Sequence, residues 1–440
     1  MPVPKDTSIS KGYLRPADGI IKLADIPGKD RGGYNYKGVH YRVTGTSLVT
    51  IDHNGVVAAV GTIPGTDQVQ FSESFDYLSI GGDQKLYLYD GTTLAQVTDP
   101  DLGVVIDHLW ADGYFMTTDG ANLVVTETND SFAVNPLKYG SAETDPDNIK
   151  SLLRHRREIY ALNRNTIEVF RNVGGSYFPF QVSSSAQING GVVGTHACCL
   201  FQDAIAFLGG KRNEPCAVHM GINGQSVKVS TREIDTILQD YTEAQLENVL
   251  VESRVEKSHA LLYVHLPDRT LVYDHAASKA VGAYVWFDLT SSVVGLGQYR
   301  AKNFVWCYDK WNCGDTLLNQ TGYFTSTESA HYGDVIGWEF HTSIVYNKGG
   351  AIFHELELVA LTGRTKLGID PVIWASYTLD GTFYSMEQSI SAGRQGDRSI
   401  KLAWYQQGLM GDTRAQKFRG TSDAHISVSR LEARLEALNG

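Results

Sequence analysis

Cysteine, methionine, proline and long apolar runs are all scarce in this sequence. The 440 residues include 5 Cys, 5 Met and 12 Pro. The cysteines are odd in number and form no CxxC pair, which fits neither a zinc site nor a disulfide framework and predicts buried reduced thiols. No stretch of about 18 apolar residues occurs, and residues 1–11 lack the apolar core of a signal peptide. We expect neither membrane insertion nor secretion through a signal peptide.

Positive charge is also in short supply. Lys and Arg number 38 against 49 Asp and Glu, a net charge of −11. A protein that grips DNA phosphates needs clustered basic residues, so this balance argues against that class, although an acidic wall around a duplex would let the duplex slide. Basic residues cluster locally in two places: Arg154, Arg156 and Arg157, and then Arg414, Lys417 and Arg419. These are candidate docking patches for an acidic partner or for DNA; the alternative is a solvated strand edge that discourages aggregation.

Motifs of catalysis and cofactor binding are missing as well. The stretch 209–212 (Gly-Gly-Lys-Arg) has the Gly-Lys pair of a Walker A motif but lacks its first glycine and its Ser or Thr. His354-Glu355 has no second His at helical spacing, so it does not form a zinc-protease motif. The 13 His are scattered without ligand spacing. We therefore predict no catalytic, cofactor-binding or metal-binding residues, no cofactor and no enzymatic activity.

The sequence is rich in glycine and tyrosine and contains a recurring pair of strands. Its 44 Gly and 23 Tyr are typical of many short strands joined by tight turns. In each unit an apolar run is followed by a turn, commonly with Gly, Asn or Asp, which tolerate the positive φ of tight hairpins, and then by a second run. The first runs are 39–43, 77–80, 114–116, 159–162, 204–207, 261–264 and 304–307, and their partners begin at Leu48, Leu86, Leu123, Ile167, Ala217, Leu271 and Tyr323.

The spacing of these units predicts a β-propeller. Their starts lie roughly 37 to 57 residues apart, close to the about 40–50 residues of a four-stranded propeller blade. The alternative is a set of unrelated antiparallel sheets, which would show the same local alternation. The seventh pair has a long, irregular connection, 308–322, and is a candidate for a place outside the ring. We assign 33–329 to the propeller and 1–32 to an N-terminal arm.

One segment of the predicted propeller has helical periodicity. Apolar residues between 231 and 252 recur mainly at three- and four-residue intervals. Within this segment, Thr242-Glu243-Ala244-Gln245 has the form of a capping box that could restart a helix. We predict a short helical insertion near 231–252, which is either a covering helix or a contact to another subunit.

The regular spacing of paired strands ends at about residue 330. We predict a second β-rich, sandwich-like domain over 330–440. Long strands are expected at 354–361 and 372–379, with a hairpin turn at Asp380-Gly381. The end of the chain is ambiguous. It reads as a strand at Ile426, Val428 and Arg430, or as a short helix at Leu431, Leu435 and Leu438. The predicted fold is thus all-β in the main, a β-propeller with a helical insertion plus a C-terminal β-rich domain.

A collinear series of stretches resembles one protein family. The stretches are Gly12-Tyr13-Leu14-Arg15, Asp30-Arg31-Gly32, Tyr41-Arg42-Val43, Thr166-Ile167-Glu168-Val169-Phe170, Tyr241-Thr242-Glu243, Ser258-His259, Val264-His265-Leu266-Pro267, Leu271-Val272-Tyr273-Asp274, Leu356-Glu357-Leu358 and Thr378-Leu379-Asp380-Gly381. In this order they resemble the packaged-DNA stabilisation proteins, also called tail accessory factors or tail hubs, of P22-like short-tailed bacteriophages. No single motif is diagnostic; the order carries the resemblance, which covers nearly the whole chain.

The resemblance implies a non-catalytic subunit of a virion tail. Such a tail hub, or nozzle, forms a six-fold ring beneath the portal-adaptor, closes the DNA channel after packaging, and supports tailspikes or fibres and the tail needle or plug. DNA would pass through the channel without sequence-specific binding, and the tail would assemble in the cytoplasm of the bacterial host. Rings of this kind form through heterologous interfaces closed by rotation. We expect a free monomer that forms the ring on its adaptor.

Two other classes of function compete with the tail hub. Propellers support carbohydrate-active enzymes such as depolymerases and glycosidases, whose carboxylates and arginines gather at the central channel, and they also serve as generic binding modules. Acidic residues and arginines at equivalent blade positions would favour the enzyme, and the sequence reveals no such set. The structural hub is therefore the preferred prediction.

Overall fold

The computed structural model describes residues 2–4, 12–142 and 147–438. The chain divides into two compact units. The propeller unit comprises Leu23–Leu289 and Tyr299–Tyr323. The sandwich unit comprises the described residues up to Lys22, the segment Thr290–Gln298 and the described residues from Phe324 onward. The signal-peptide expectation concerns residues 1–11, which lie outside the described residues except for 2–4.

Seven antiparallel sheets, each with four principal strands, build the propeller unit. Blade 1 consists of β4 (Asp30–Tyr36), β5 (Val39–Thr44), β6 (Ser47–Ile51) and β7 (Val57–Thr62). Blade 2 consists of β8 (Gln70–Glu73), β9 (Leu78–Gly82), β10 (Lys85–Tyr89) and β11 (Leu94–Gln96). Blade 3 consists of β12 (Asp107–Ala111), β13 (Tyr114–Thr118), β14 (Asn122–Thr126) and β15 (Val134–Ser141). Blades 4 and 5 consist of β16 (Ile149–His155), β17 (Glu158–Asn163), β18 (Thr166–Asn172), β19 (Phe180–Val182) and β20 (Ile188–Asn189); and β21 (Gly191–Val192), β22 (Cys198–Phe201), β23 (Ala204–Gly210), β24 (Ala217–Ile222) and β25 (Gln225–Lys228). Blades 6 and 7 consist of β26 (Leu250–Glu256), β27 (His259–His265), β28 (Thr270–Asp274) and β29 (Val285–Leu289); and β30 (Ala301–Cys307), β31 (Lys310–Asp315), β32 (Gln320–Thr325) and β3 (Gly19–Asp25).

The innermost strands of the seven blades form a closed ring. They are β4, β8, β12, β16, β22, β26 and β30, and each contacts the next in this order. The last of them, β30, also contacts β4, so blade 7 closes against blade 1. This ring confirms the predicted β-propeller.

The second and third strands of each blade carry most of the core. All residues of β9 and β23 are buried. Strands covered on both faces by neighbouring sheets read as near-continuous apolar runs, which is why the runs 39–43 to 261–264 were visible in the sequence. The largest core cluster includes Tyr160, Phe207 and Leu262, from blades 4, 5 and 6.

The seventh strand pair differs from the one predicted. The run 304–307 lies in the innermost strand β30, which pairs with β31 through Val305↔Asn312 and not with the strand at Tyr323. β31 lies within the connection 308–322 that was expected to be irregular. The buried Asn312 side chain donates to backbone carbonyls of β30, so a polar residue fills a core position and hides the strand pattern. Because β30 contacts both β4 and β26, this blade lies inside the ring.

Residues before 33 also contribute strands, which corrects the N-terminal arm predicted for 1–32. β3 lies beside β32 as the outermost strand of blade 7, and the N–H of Ile26 donates to the Asn319 carbonyl at 3.0 Å. β4 begins at Asp30. The partner of β3 lies at the other end of the propeller sequence, so no local pattern reveals the pairing.

The helical insertion is shorter than the predicted 231–252. It consists of α1 (Arg232–Gln239) and α2 (Glu243–Leu246). At the start of α2 the Thr242 N–H donates to the Gln245 side-chain oxygen at 2.9 Å, as in a capping box. The helical stretch ends before Leu250 because β26 pairs there with β27. A third helix, α3 (His275–Val281), follows β28, and two single 3-10 turns lie at Pro100–Leu102 and Ser184–Ala186.

Two sheets form the sandwich unit. One sheet contains β1 (Pro2–Pro4), β2 (Gly12–Leu14), β41 (Ser427–Ala437), β35 (Ala351–Leu361), β38 (Leu402–Tyr405) and β39 (Leu409–Met410). The other contains β33 (Gly337–His341), β34 (Val345–Tyr346), β40 (Thr413–Thr421), β36 (Val372–Thr378) and β37 (Gln388–Ser391). Leu356 and Trp404 from the first sheet share a core with Ile373 and Phe418 from the second, which confirms the sandwich-like prediction.

The C-terminal segment is a strand. β41 pairs with β35 over almost its whole length, with Leu431 opposite Leu358 and Leu435 opposite Phe353. The leucine spacing that suits a short helix is thus overridden by pairing with a long neighbouring strand, as is common for marginal helices.

Candidate interaction surfaces

The innermost strands all run in the same direction, so the first hairpin of every blade lies on one face of the propeller. Between β12 and β16, Asp107 accepts from Leu152 at 2.7 Å, and farther along both strands the Trp110 carbonyl accepts from Arg154 at 3.2 Å. Between β4 and β30, Asp30 accepts from Asn303 at 2.6 Å, and farther along Asn35 donates to the Trp306 carbonyl at 2.8 Å. In each pair the contacts advance along both strands together, so the two strands run in the same direction. We call the face that carries these first hairpins the hairpin face.

The centre of the propeller is filled by polar side chains. Gln70 of blade 2 and His196 of blade 5 approach to 3.5 Å through their side-chain nitrogens. Gln68, next to blade 2, donates to Asn303 of blade 7. These contacts join blades that are not neighbours, so they cross the central axis. Burial lowers the pKa of His196 to about 4, so this imidazole is neutral at pH 7. A DNA duplex cannot pass through a propeller closed in this way.

Acidic residues of the inner strands are engaged in bonds between blades. Asp107 accepts from Ser151 Oγ at 2.8 Å and from two backbone N–H groups, and burial nevertheless raises its pKa to about 7. Glu252 accepts from the N–H groups of Asn303 and Phe304 at 3.0 and 2.7 Å. Asp30 accepts from the Asn303 side chain at 2.6 Å. These carboxylates hold blades together, which is a structural use and not the acid–base pair of a glycosidase.

The stretches that resemble the phage family supply further buried polar contacts. Arg31 donates to four backbone carbonyls of blade 1 and of the link that follows it, at Asp67, Gly45, Ile63 and Pro64. Arg42 pairs with Asp30 of the same blade at 2.6 Å, and both side chains are fully buried. Arg42 also donates to the Asn303 carbonyl of blade 7 at 2.6 Å, and this long-range contact could not be predicted from the sequence.

The first predicted basic cluster lies on the hairpin face of blade 4. Arg154 donates to the Trp110 carbonyl at 3.2 Å, lies over the Trp110 ring and is 3.8 Å from Asp112. Arg156 and Arg157 form the exposed turn between β16 and β17. Among the residues that the structure describes, these two arginines have no ion-pair or hydrogen-bond partner. The φ of 58° at Arg156 belongs to the turn geometry, since equivalent turns share it.

Arg156 and Arg157 border a cavity of about 1010 Å³. Its lining comes from blades 3, 4 and 5 and consists of Asp112, His155, Arg156, Arg157, Glu158, Arg171, Asn172, Ile222 and Asn223. Sequence inspection missed Arg171, although the pairing of Glu158 with Arg171 across β17 and β18 could have revealed it. Arg171 donates to Glu158 at 2.8 Å.

The second predicted cluster is split by the alternation of β40. Arg414 is only 2% exposed and lies inside the sandwich, which corrects its placement in a surface patch. It donates to the Gln407 carbonyl at 2.6 Å and lies over the rings of Phe353 and Tyr377 at 4.3 and 3.7 Å. Burial lowers its pKa to about 10, so it stays charged at pH 7.

Lys417 and Arg419 face away from the side that buries Arg414. Lys417 pairs with Glu339 at 2.7 Å. Arg419 forms a bidentate pair with Glu387, at 2.6 and 2.5 Å, and lies 4.3 Å from the Trp374 ring centroid. Each positive charge is thus matched by a carboxylate, and little net charge remains for a partner.

Across the described ranges, no group of three or more His, Cys, Asp or Glu is placed to hold a metal ion. No helix in the same part of the chain is both long and apolar enough to cross a membrane.

The architecture is a seven-bladed β-propeller followed along the chain by a β-sandwich, with buried polar groups of the propeller used as ties between blades. Comparison with known families makes the class specific. Residues 1–329 match the family model "Bacteriophage P22 Gp10, beta-propeller", and residues 337–436 match "Bacteriophage P22 Gp10, beta-sandwich". The chain belongs to the bacteriophage P22 Gp10 family, which confirms the resemblance found in the sequence.

A curated relative and two solved structures accompany this match. The chain is 26% identical to the tail hub protein gp10 of Salmonella phage P22, over 98% of this chain and 93% of that protein. It is similar to the N-terminal domain of Nup159, with 10% identity over 73% of this chain and 97% of that chain and a TM-score of 0.42. It is also similar to the Neurospora crassa Pan2 WD40 domain, with 10% identity over 71% of this chain and 97% of that chain and a TM-score of 0.43. The family assignment makes this chain a tail-hub structural protein, a component of the virion tail and not an enzyme.

Proposed function

We propose that the protein is the subunit of a tail-hub ring that docks beneath the portal-adaptor and closes the DNA channel after packaging. The same ring would support tailspikes or fibres and hold the tail needle or plug. The observation that carries this proposal is the match of both domains to one tail-hub family, in the same order along the chain.

The proposed ring places the DNA channel between subunits. A path through a single propeller is blocked by the Gln70–His196 contact and its neighbours. Six copies related by rotation would enclose a channel through heterologous interfaces. The net charge of −11 per chain suits a wall that repels a duplex and lets it slide without sequence-specific binding.

The two domains predicted from the sequence, 33–329 and 330–440, would have separate tasks. We assign the load-bearing wall of the ring to the propeller, because polar ties join its neighbouring blades. We assign contacts with other tail proteins to the hairpin face of the propeller and to the sandwich. Of the six basic residues singled out in the sequence, Arg156 and Arg157 are the ones we propose to face a partner, with Arg154 holding their hairpin against blade 3.

Cryo-electron microscopy of the purified protein mixed with the portal and adaptor proteins of the same virion tests this function. We expect a six-fold ring on the adaptor, with density across the channel once the plug protein is added. Analytical ultracentrifugation should show a monomer when the adaptor is left out. A chain that stays monomeric beside intact adaptor rings would contradict the proposal, and a stable free hexamer would contradict assembly on the adaptor.

A further inference from the structure

The cavity between blades 3, 4 and 5 contains unpaired positive charge. Three arginines line it, Arg156, Arg157 and Arg171, and the acidic residues beside them are Asp112 and Glu158. Glu158 pairs with Arg171, while Asp112 accepts from Asn172 at 3.2 Å and neighbours Arg154. Both carboxylates are therefore engaged, and the charges of Arg156 and Arg157 are left for a ligand.

A second, independent feature of the cavity is His155. Its side chain is 9% exposed, and its Nε2 atom has no hydrogen-bond partner among the described residues. His155 lines the cavity, but its Nε2 atom is closed off from solvent. A ligand in the cavity therefore meets this imidazole without a hydrogen bond from Nε2, and the polar recognition falls to the neighbouring arginines.

An apolar side chain in the lining indicates the kind of molecule that carries the anionic group. Ile222 lines the cavity together with the arginines. A DNA backbone offers phosphates but no apolar groups to cover such side chains, whereas a protein segment offers carboxylates and apolar side chains together.

We propose that this cavity binds an acidic segment of a partner protein, with a carboxylate held by Arg156 and Arg157 and a neighbouring apolar residue packed against Ile222. The proposal deepens the docking role given to these arginines above and rests on it for the partner's place in the virion. The binding chemistry itself requires only the cavity of a single chain.

The test uses the full-length monomer and a short fluorescein-labelled peptide that contains Glu and Leu, followed by fluorescence anisotropy. A peptide with Gln in place of Glu and a labelled DNA duplex are the comparison probes. The variant is Arg156→Gln with Arg157→Gln. Its matched control is Lys37→Gln with Lys257→Gln, which removes the same charge from exposed first hairpins of blades 1 and 6.

We expect the Glu peptide to bind, the arginine variant to lose about tenfold or more in affinity, and the lysine control to change by less than about twofold. The Gln peptide should bind more weakly, and added salt should weaken the Glu peptide.

Three results would overturn the proposal: no binding of the Glu peptide, equal losses in both double variants, or binding of the duplex that depends on Arg156 and Arg157. The last result would assign the cavity to phosphate instead. Ring assembly on the adaptor is measured separately, so a failure of the peptide assay with normal assembly leaves the hub function standing and refutes only the cavity proposal.

Discussion

Asp107 allows a quantitative test of the ties between blades. It starts the innermost strand of blade 3 and accepts hydrogen bonds from Ser151 Oγ, from the Leu152 N–H and from the N–H of His108, at 2.7 to 2.8 Å. Those bonds favour the ionised carboxylate, whereas burial favours the protonated one. Burial is the larger effect and raises the pKa to about 7. Replacement by Asn removes the titration and leaves the position filled.

The pH dependence follows from the direction of this shift. An Asp in the unfolded chain has a pKa of about 3.9, so the folded protein holds this proton more tightly than the unfolded chain does. The stabilisation is complete at low pH and is lost as pH rises from about 4 to 7. For pKa values of about 3.9 and 7, the loss between pH 5 and pH 8 is about 2.5 kcal/mol. The Asp107→Asn protein lacks this pH-dependent contribution to the free energy of unfolding.

Urea unfolding followed by far-UV circular dichroism at pH 5 and pH 8 measures the effect. We expect the wild-type protein to lose about 2.5 kcal/mol relative to Asp107→Asn over this range. His108, whose burial lowers its pKa to about 4, contributes to both proteins and cancels in the difference. Asp203→Asn, on an exposed turn, is the control and should run parallel to wild type. Parallel profiles for Asp107→Asn would refute the reasoning, because the three hydrogen bonds would then outweigh burial.

Three further substitutions test other buried contacts. Asp30→Ala leaves the Arg42 guanidinium buried without its carboxylate and should cost about 3–5 kcal/mol in urea unfolding; adding Arg42→Met should recover part of that loss, and no recovery would show that the pair is not coupled. Arg414→Lys removes a planar donor held over two aromatic rings, so the thermal midpoint should fall by an amount equivalent to about 1–3 kcal/mol; an unchanged midpoint would contradict this. Gly194→Ala places a Cβ 1.9 Å from the Glu247 carbonyl oxygen, so hydrogen exchange should speed up across α2 and remain normal in the sandwich.

The sequence predicted the parts of the fold that have a local pattern. The buried second and third strands of blades 1 to 6 are short apolar runs separated by Gly, Asn and Asp turns, so their spacing indicated a propeller. Strands with distant partners lacked such a pattern. β3 pairs with β32 from the far end of the propeller sequence, and β31 carries the buried polar residue Asn312. In both cases long-range pairing stabilises the strand.

The basic clusters show the same limit at the level of side chains. Arg414 and Lys417 are three residues apart, and an odd spacing in a strand places them on opposite faces, which the burial pattern of β40 displays. The odd spacing would have placed Arg414 and Lys417 on opposite faces once β40 was predicted to be a strand. Arg156 and Arg157 stayed together because they occupy a turn, where both side chains face solvent. Arg171, which also lines the cavity, belongs to β18. Its place beside the two arginines depends on its pairing opposite Glu158 of β17.

The distribution of polar ties explains how a propeller can act as a wall. Apolar packing between blades is non-directional and tolerates sliding, whereas a hydrogen bond fixes register. Every pair of neighbouring blades has at least one such bond. Between blades 1 and 2 the Val69 N–H donates to the Arg31 carbonyl, and between blades 7 and 1 the Asn303 side chain donates to Asp30. A force on one blade is then resisted by its neighbours all around the ring. In a hub whose channel lies between subunits, each propeller would be pushed from one side, and a ring without a weak joint resists that load best.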